Sequence, residues 1–154
     1  MKIRKAIEAD ATSIAAVLHA ISDLHLIASQ PAETTACTIK LNLRRVVSSG
    51  SSAAYVAENA AGDVAGYCAV HWVPFLFMRG GEAYVTELFV RPSDSGKGIG
   101  SALLDTVIAE AKQRGCARVS LLNGRDGQSY RRDFYKKRGW VERDGMANFI
   151  LPLA

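Results

Sequence analysis

Three glycines alternate through Ser95-Gly96-Lys97-Gly98-Ile99-Gly100, just after Val90-Arg91-Pro92 closes an apolar run and just before an amphipathic one. Glycines let successive backbone N–H groups converge on one point, and a following helix adds partial positive charge at its N-terminus. The chemistry this spacing offers is anion binding, with Lys97 as an added cation. Two phosphate motifs fail here. A Walker loop needs a glycine five residues ahead of its Gly-Lys-Ser/Thr element, but Arg91 stands there and Gly98 follows Lys97. The dinucleotide pattern fails because Ser101 and Leu103 occupy the places where a third glycine is needed. The three cysteines, Cys37, Cys68 and Cys116, form no C-x-x-C pair and read as small core residues, neither nucleophiles nor ligands.

The elements that must position this turn follow from hydrophobic period and punctuation. Lys2 to Ala6 reads as a strand, and Asp10 as the N-cap of a helix carrying Ile14, Val17, Leu18 and Ile21. Residues 22–35 are expected to be irregular around Pro31, and Thr38 to Val47 helical up to a Ser/Gly turn. Ala53 to Glu58, Val64 to Trp72 and Glu82 to Val90 read as an antiparallel meander, with turns at Asn59–Asp63 and at Gly80-Gly81. Gly100, Leu103, Leu104, Val107, Ile108 and Ala111 then mark a buried helical stripe that Gly115 ends. Arg118 to Leu122 reads as a strand parallel to 82–90, Gln128 to Arg138 as a helix ending at Gly139, and Trp140–Arg143 with Ala147–Leu151 as a hairpin. The expected class is α/β with a mixed sheet between helices, in the order β-α-α-β-β-β-α-β-α-β-β.

Leu88 through Leu104 resembles the glycine-rich motif of the GCN5-related N-acetyltransferase family, Gln/Arg-x-x-Gly-x-Gly/Ala. Ile3-Arg4-Lys5-Ala6 is similar to that family's first strand, and Arg132 to Trp140 to its late helix and the strand after it. Ser95 stands where the family usually has Gln or Arg, and Gln128 where it often has Asn. The resemblance implies that Ser95, Gly96, Lys97, Gly98, Ile99, Gly100 and Ser101 hold the pyrophosphate of acetyl-CoA. It also implies a sheet splayed between the fourth and fifth strands, with the pantetheine arm along Leu88, Phe89 and Val90. Gln128, Phe134 and Lys137 join the cofactor set in the late helix. Tyr135 holds the family's position for protonating the leaving thiolate. Glu87, in the strand lining the cleft, is the leading general base. Glu82, Glu58, His71 and His25 are the alternatives.

The implied function is acetyl transfer to a primary amine, expected to belong to a small molecule, by direct attack without an acyl-enzyme. A protein or peptide acceptor, or a non-catalytic acyl-CoA-binding module, is the alternative. Residues 22–35 and the apolar run Trp72 to Met78 are expected to wall the acceptor pocket; that run either covers the cleft or forms a homodimer contact.

The 154 residues fit one domain, 1–154, large enough to close a core without metal or disulfides. Neither a secretory signal nor an apolar run of membrane-spanning length is seen, so a cytoplasmic protein without a membrane partner is expected. With 19 Lys+Arg against 15 Asp+Glu, the net charge of +4 is low for a nucleic-acid partner. The basic residues between Arg125 and Arg138 read either as a solvated helix face or as a landing surface for phosphates.

Overall fold

A computed structural model describes residues 1–21, 24, 27 and 29–153. His25 and part of the expected 22–35 wall lie outside the described residues. Contacts gather the chain into two compact units, Met1–Leu121 and Leu122–Ala154.

The first unit is built on one five-stranded sheet in the order β1-β2-β3-β4-β5. Strand β1 (Lys2–Lys5) runs antiparallel to β2 (Ser52–Glu58), pairing Lys2 with Glu58 and Arg4 with Val56. Strands β3 (Val64–Phe75) and β4 (Met78–Val90) continue the antiparallel meander. The β2–β3 turn closes as expected at Asn59, whose side-chain oxygen accepts the N–H groups of Ala61 at 2.9 Å and Asp63 at 3.0 Å. Strand β5 (Arg118–Leu121) pairs parallel with β4, from Glu82–Arg118 to Val85–Leu121. Parallel pairing demands a crossover, and the helix between them (α3, Ile99–Gln113) supplies it.

Helices α1 (Ala11–His19) and α2 (Ala32–Ser49) share a core with Val56 and Tyr67, so they cover that face of the sheet. The opposite face meets α3, because Ile99 packs at Gly66 and the Tyr55 hydroxyl donates to Glu110. The stripe read from the sequence is the buried one: Leu103, Leu104 and Val107 are fully covered. Each such side chain adds about 2 kcal/mol of burial. Gly115 ends α3 in the left-handed region (φ 71°), and a Schellman pair runs from Cys116 N to Ala111 O (2.9 Å) and from Gly115 N to Lys112 O (3.0 Å).

Several expectations need correction. Helix α2 starts six residues before Thr38, because Pro31 sits at its N-cap instead of ending a loop. Asp10 takes the N-cap position of α1 without capping it. Its carboxylate is held by both Arg4 guanidinium N–H arms at 2.7 Å and by Ile7 N at 2.8 Å, tying β1 to the start of α1. The β3–β4 turn lies at Leu76-Phe77, and Gly80 and Gly81 are inside β4 with φ of 85° and 65°. A Cβ on Gly80 would lie 2.1 Å from Gly115 O, so close backbone approach, not a turn, requires glycine there. Cys37 is exposed on α2 and Cys116 half-buried; only Cys68 is a core thiol.

The second unit departs further. Its helix α4 covers only Gln128–Arg131. Asp133 takes a left-handed φ of 54°, and a Schellman pair (Phe134 N to Ser129 O, 3.0 Å; Asp133 N to Tyr130 O, 2.9 Å) ends the helix seven residues before Arg138. A separate 3₁₀ turn, Lys136–Arg138, closes at Gly139 with the same motif. The expected 140–151 hairpin is not formed: its one turn bond is Met146 N to Arg143 O at 3.4 Å. Phe149, Ile150 and Leu151 are all exposed, so no apolar face is buried to support the strands, and a lone two-stranded ribbon is marginal. The unit is gathered instead around Glu142, which accepts from the Tyr130 hydroxyl (3.0 Å) and pairs with Arg125 (2.9 Å) and Lys136 (3.5 Å).

Candidate active site

The glycine turn leaves β4 through the 3₁₀ turn Pro92–Asp94, anchored by Arg91 N donating to Ala65 O at 2.7 Å. Gly96 and Gly98 both adopt left-handed φ, 79° and 80°, which other residues resist. A Cβ built on either meets no atom within 4 Å, so glycine is there for backbone conformation and the space above the loop is open. Ser95, Gly96, Lys97 and Gly98 are exposed, whereas Ile99 is buried and pins the helix start. Gly98 O accepts the first intrahelical bond, from Ala102 N at 3.0 Å. The N–H groups of Ile99, Gly100 and Ser101 thus have no acceptor in the helix and lie at its positive end. These features fit an anion of pyrophosphate size.

Lys97 is less available than its sequence suggests. Its ammonium lies 2.9 Å from Asp94 Oδ1, and that contact holds the Asp94 carboxyl below the usual carboxylate range. Gly66, a residue that sequence reading passed over, lets this corner close. A Cβ there would lie 2.7 Å from Phe89 O and 3.2 Å from Ile99 Cγ2.

The second feature is a break in β4. Ala69 pairs with Glu87 but Val70 with Val85, so Thr86 is an extra residue, a β-bulge. The Thr86 hydroxyl donates to Ala69 O at 3.4 Å. Pairing with β5 ends at Val85, just before the bulge. From Thr86 to Val90, β4 keeps β3 on one side and, among the described residues, pairs with no strand on the other, at the place where a splay between the fourth and fifth strands is expected. Because Arg91 N bonds Ala65 O, ladder alternation turns the Phe89 and Glu87 amides toward β3 and those of Leu88 and Val90 toward the open edge.

The bulge also re-aims side chains. Val85 is paired with Val70 on the α3 face, and regular alternation would send residue 87 the same way. The extra residue turns Glu87 to the face of Ala69 and Tyr67, covered by α1 and α2. There the Tyr67 hydroxyl donates to Glu87 Oε2 at 2.5 Å. Burial, and then the Glu87 charge, push the Tyr67 phenol well above its ordinary range, so it stays a donor. Burial and the same charge push the Cys68 thiol up to about 12, which leaves it protonated at neutral pH.

Two of the alternative bases are ion-paired. Glu82 is buried against the Arg118 guanidinium and the Ser120 hydroxyl (2.6 Å). Glu58 pairs with Arg4 at 2.6 Å. His71 is exposed, beyond the bulge and opposite Tyr84. In the second unit, Phe134 and Tyr135 are half-buried with ring centroids 5.0 Å apart, and Tyr135 also packs at 5.7 Å on Trp140. Gln128 and Lys137 are exposed. Arg125 and Lys136, from the basic cluster read as either a solvated face or a phosphate landing surface, pair with Glu142 within their own unit.

This backbone recurs in solved structures. A transcriptional regulator from Bacillus halodurans C-125 superposes with a TM-score of 0.82 at 22% identity, over 99% of both chains. A ribosomal-protein-alanine N-acetyltransferase from Brucella melitensis biovar Abortus 2308 gives 0.73 at 18% identity, over 99% of this chain and 100% of that one. An aminoglycoside acetyltransferase from an uncultured soil metagenomic sample gives 0.76 at 17%, over 99% and 96%. At these identities the likeness shows the fold. In sequence, an uncharacterized N-acetyltransferase of Methanocaldococcus jannaschii is 35% identical over 83 residues, 54% of this chain and 36% of that protein. The matched stretch thus spans about a third of that relative. The acetyltransferase (GNAT) family itself matches residues 18–140, including the glycine turn, the bulged strand and Tyr135. On that match, across more than half of its length, the chain belongs to the GNAT acetyltransferase family.

Proposed function

We propose that residues 1–154 act as one acetyl-CoA-dependent N-acetyltransferase domain that acetylates a primary amine, of a small molecule, by direct attack in a ternary complex. The observation that carries this reading is the half-open β4: a carboxylate on one face, amides turned to an edge that no described strand pairs, and an open glycine turn at its end. The backbone N–H groups from Gly96 to Ser101, with Lys97 beside them, are the pyrophosphate ligands. The open-edge amide of Val90 suits an amide group of the pantetheine arm, which would run along Leu88, Phe89 and Val90. Gln128, Phe134 and Lys137 are proposed to complete the cofactor set.

Bound acetyl-CoA supplies an acetyl thioester, an acyl group activated toward amines. Only about one alkyl amine in a thousand is neutral at pH 7, so a base is required. Glu87 takes that proton. The Leu88 N–H is the donor for the acyl oxygen, and Tyr135 Oη holds the proton that the leaving sulfur needs. Cys68, buried and protonated, has no role as an acyl carrier.

The test is thiol release from acetyl-CoA across a panel of amines, including an aminoglycoside and an alanine-ended peptide, against a control without acceptor. Release with at least one small amine is expected. Release with the peptide alone would move the acceptor to the protein class. Thermal stabilisation by acetyl-CoA without release from any amine would make the chain a binding module.

A further inference from the structure

We propose that Tyr67 is the positioning residue of Glu87: its hydroxyl fixes one carboxylate oxygen and presents the other to the acceptor amine. This rests on Glu87 being the base.

The arrangement follows from register. Glu87 lies directly opposite Ala69, and Tyr67 directly opposite Phe89. Ala69 offers only a methyl group beside Glu87, so the carboxylate leans diagonally to the neighbouring phenol, within the reach of long side chains on paired strands. The phenol is itself fixed. Tyr67 is 3% exposed, packed in the core with Ile14, Val17 and Val56, and its ring lies 5.8 Å from that of Phe89. The hydroxyl donates to Oε2, which leaves Oε1 to take the proton. A donor on a carboxylate favours the charged form at some cost in basicity, so what it offers a base is orientation.

The other titratable groups near this carboxylate are few. Cys68 is next along β3 and feels the Glu87 charge. On β3, His71 lies beyond the bulge, opposite Tyr84 of β4. From α1 the one titratable side chain is His19, 3.0 Å from Thr35 Oγ1. On α3, across the sheet, Glu110 is engaged with Tyr55 and Arg114. Asp105 and Lys112 share that helix, and β5 contributes Arg118, paired with Glu82. Helix α2, on the same face, carries Glu33, Lys40, Arg44 (paired with Glu8) and Arg45. Among the described residues, Tyr67 is the side chain that donates to this carboxylate.

The experiment compares pH profiles of kcat/KM, with acetyl-CoA saturating, for the parent, Tyr67→Phe, Glu87→Gln and the double variant. Tyr67→Phe keeps the ring and its packing and should melt close to the parent. Its acid limb is expected to move to higher pH, and the plateau above that limb to fall about three- to tenfold as the carboxylate loses its fixed orientation. In the Glu87→Gln background the same change should do nothing further. Difluorotyrosine in place of Tyr67 keeps the fold and strengthens the donor, so its limb should move to lower pH. If both Tyr67 replacements leave the limb in place while Glu87→Gln removes it, Tyr67 is core packing alone and the proposal falls. If Glu87→Gln keeps the parent rate and profile, the base is another residue, and that reading falls together with this one.

Discussion

Two glutamates five residues apart on β4 show how one strand serves two purposes. Glu82 lies where β4 has neighbours on both sides; it is buried and held by Arg118 and Ser120. Glu87 lies where β5 has ended; it is exposed, and among the described residues its hydrogen-bond partner is a phenol rather than a cation. The Thr86 bulge separates the halves. A carboxylate neutralised by a guanidinium is a structural fastener. One that meets only a neutral donor keeps its negative charge unmatched and ready for a cationic substrate. Burial and partner, not residue type, assign the roles.

The largest effect that tests this division is at Glu87. Glu87→Gln should lower kcat/KM about 10²–10³-fold at neutral pH, the range of a lost general base, with little change in melting temperature. Steady-state rates and a thermal melt on one preparation settle it. A melt that drops as far as the rate would make Glu87 a second fastener and erase the contrast.

Glu82→Gln should do the reverse. It leaves the Arg118 guanidinium without its charge partner, but Arg118 is 40% exposed and water can take over part of the role. A loss of about 1–2 kcal/mol follows, or roughly 2–8 °C in melting temperature for a chain of this size. Turnover per folded molecule should stay within about twofold of the parent. A hundredfold kinetic loss in a well-folded Glu82→Gln protein would put the chemistry on the wrong half of the strand.

In sequence, Glu82 and Glu87 look alike, which explains what was legible and what was not. The α3 stripe, the glycine turn and the β2–β3 turn at Asn59 are local patterns, and each is where its residues imply. The bulge is a relation between two strands. Nothing in Tyr84-Val85-Thr86-Glu87 announces the extra residue, and so Tyr67 carried no signal before the register was known. Gly80-Gly81 misled for a related reason: the pair resembles a turn, but Gly80 is needed where the chain passes the Gly115 carbonyl. The late helix failed on backbone conformation. Its stop signal is Asp133 in the left-handed region, a place where glycine is the usual marker, so the run to Gly139 read as unbroken.

Asp94, the next carboxylate along the chain, falls between the two and gives the smallest effect. Like Glu82 it is buried and paired with a cation, but its partner Lys97 is mostly exposed and sits inside the proposed pyrophosphate cradle. The Lys97 contact lowers the Asp94 pKa on folding, so the stability it adds is complete above the usual carboxylate range and is lost as pH falls through the lowered value. At neutral pH the pair is therefore intact, and the cation is already shared. If backbone N–H groups carry most of the pyrophosphate, Lys97→Ala should raise the KM for acetyl-CoA only about two- to threefold, with kcat unchanged. Asp94→Asn, which frees the ammonium, should leave that KM equal or lower it, and the gain should fade with added salt. A fiftyfold rise in KM for Lys97→Ala would show that the lysine, rather than the glycine backbone, holds the anion.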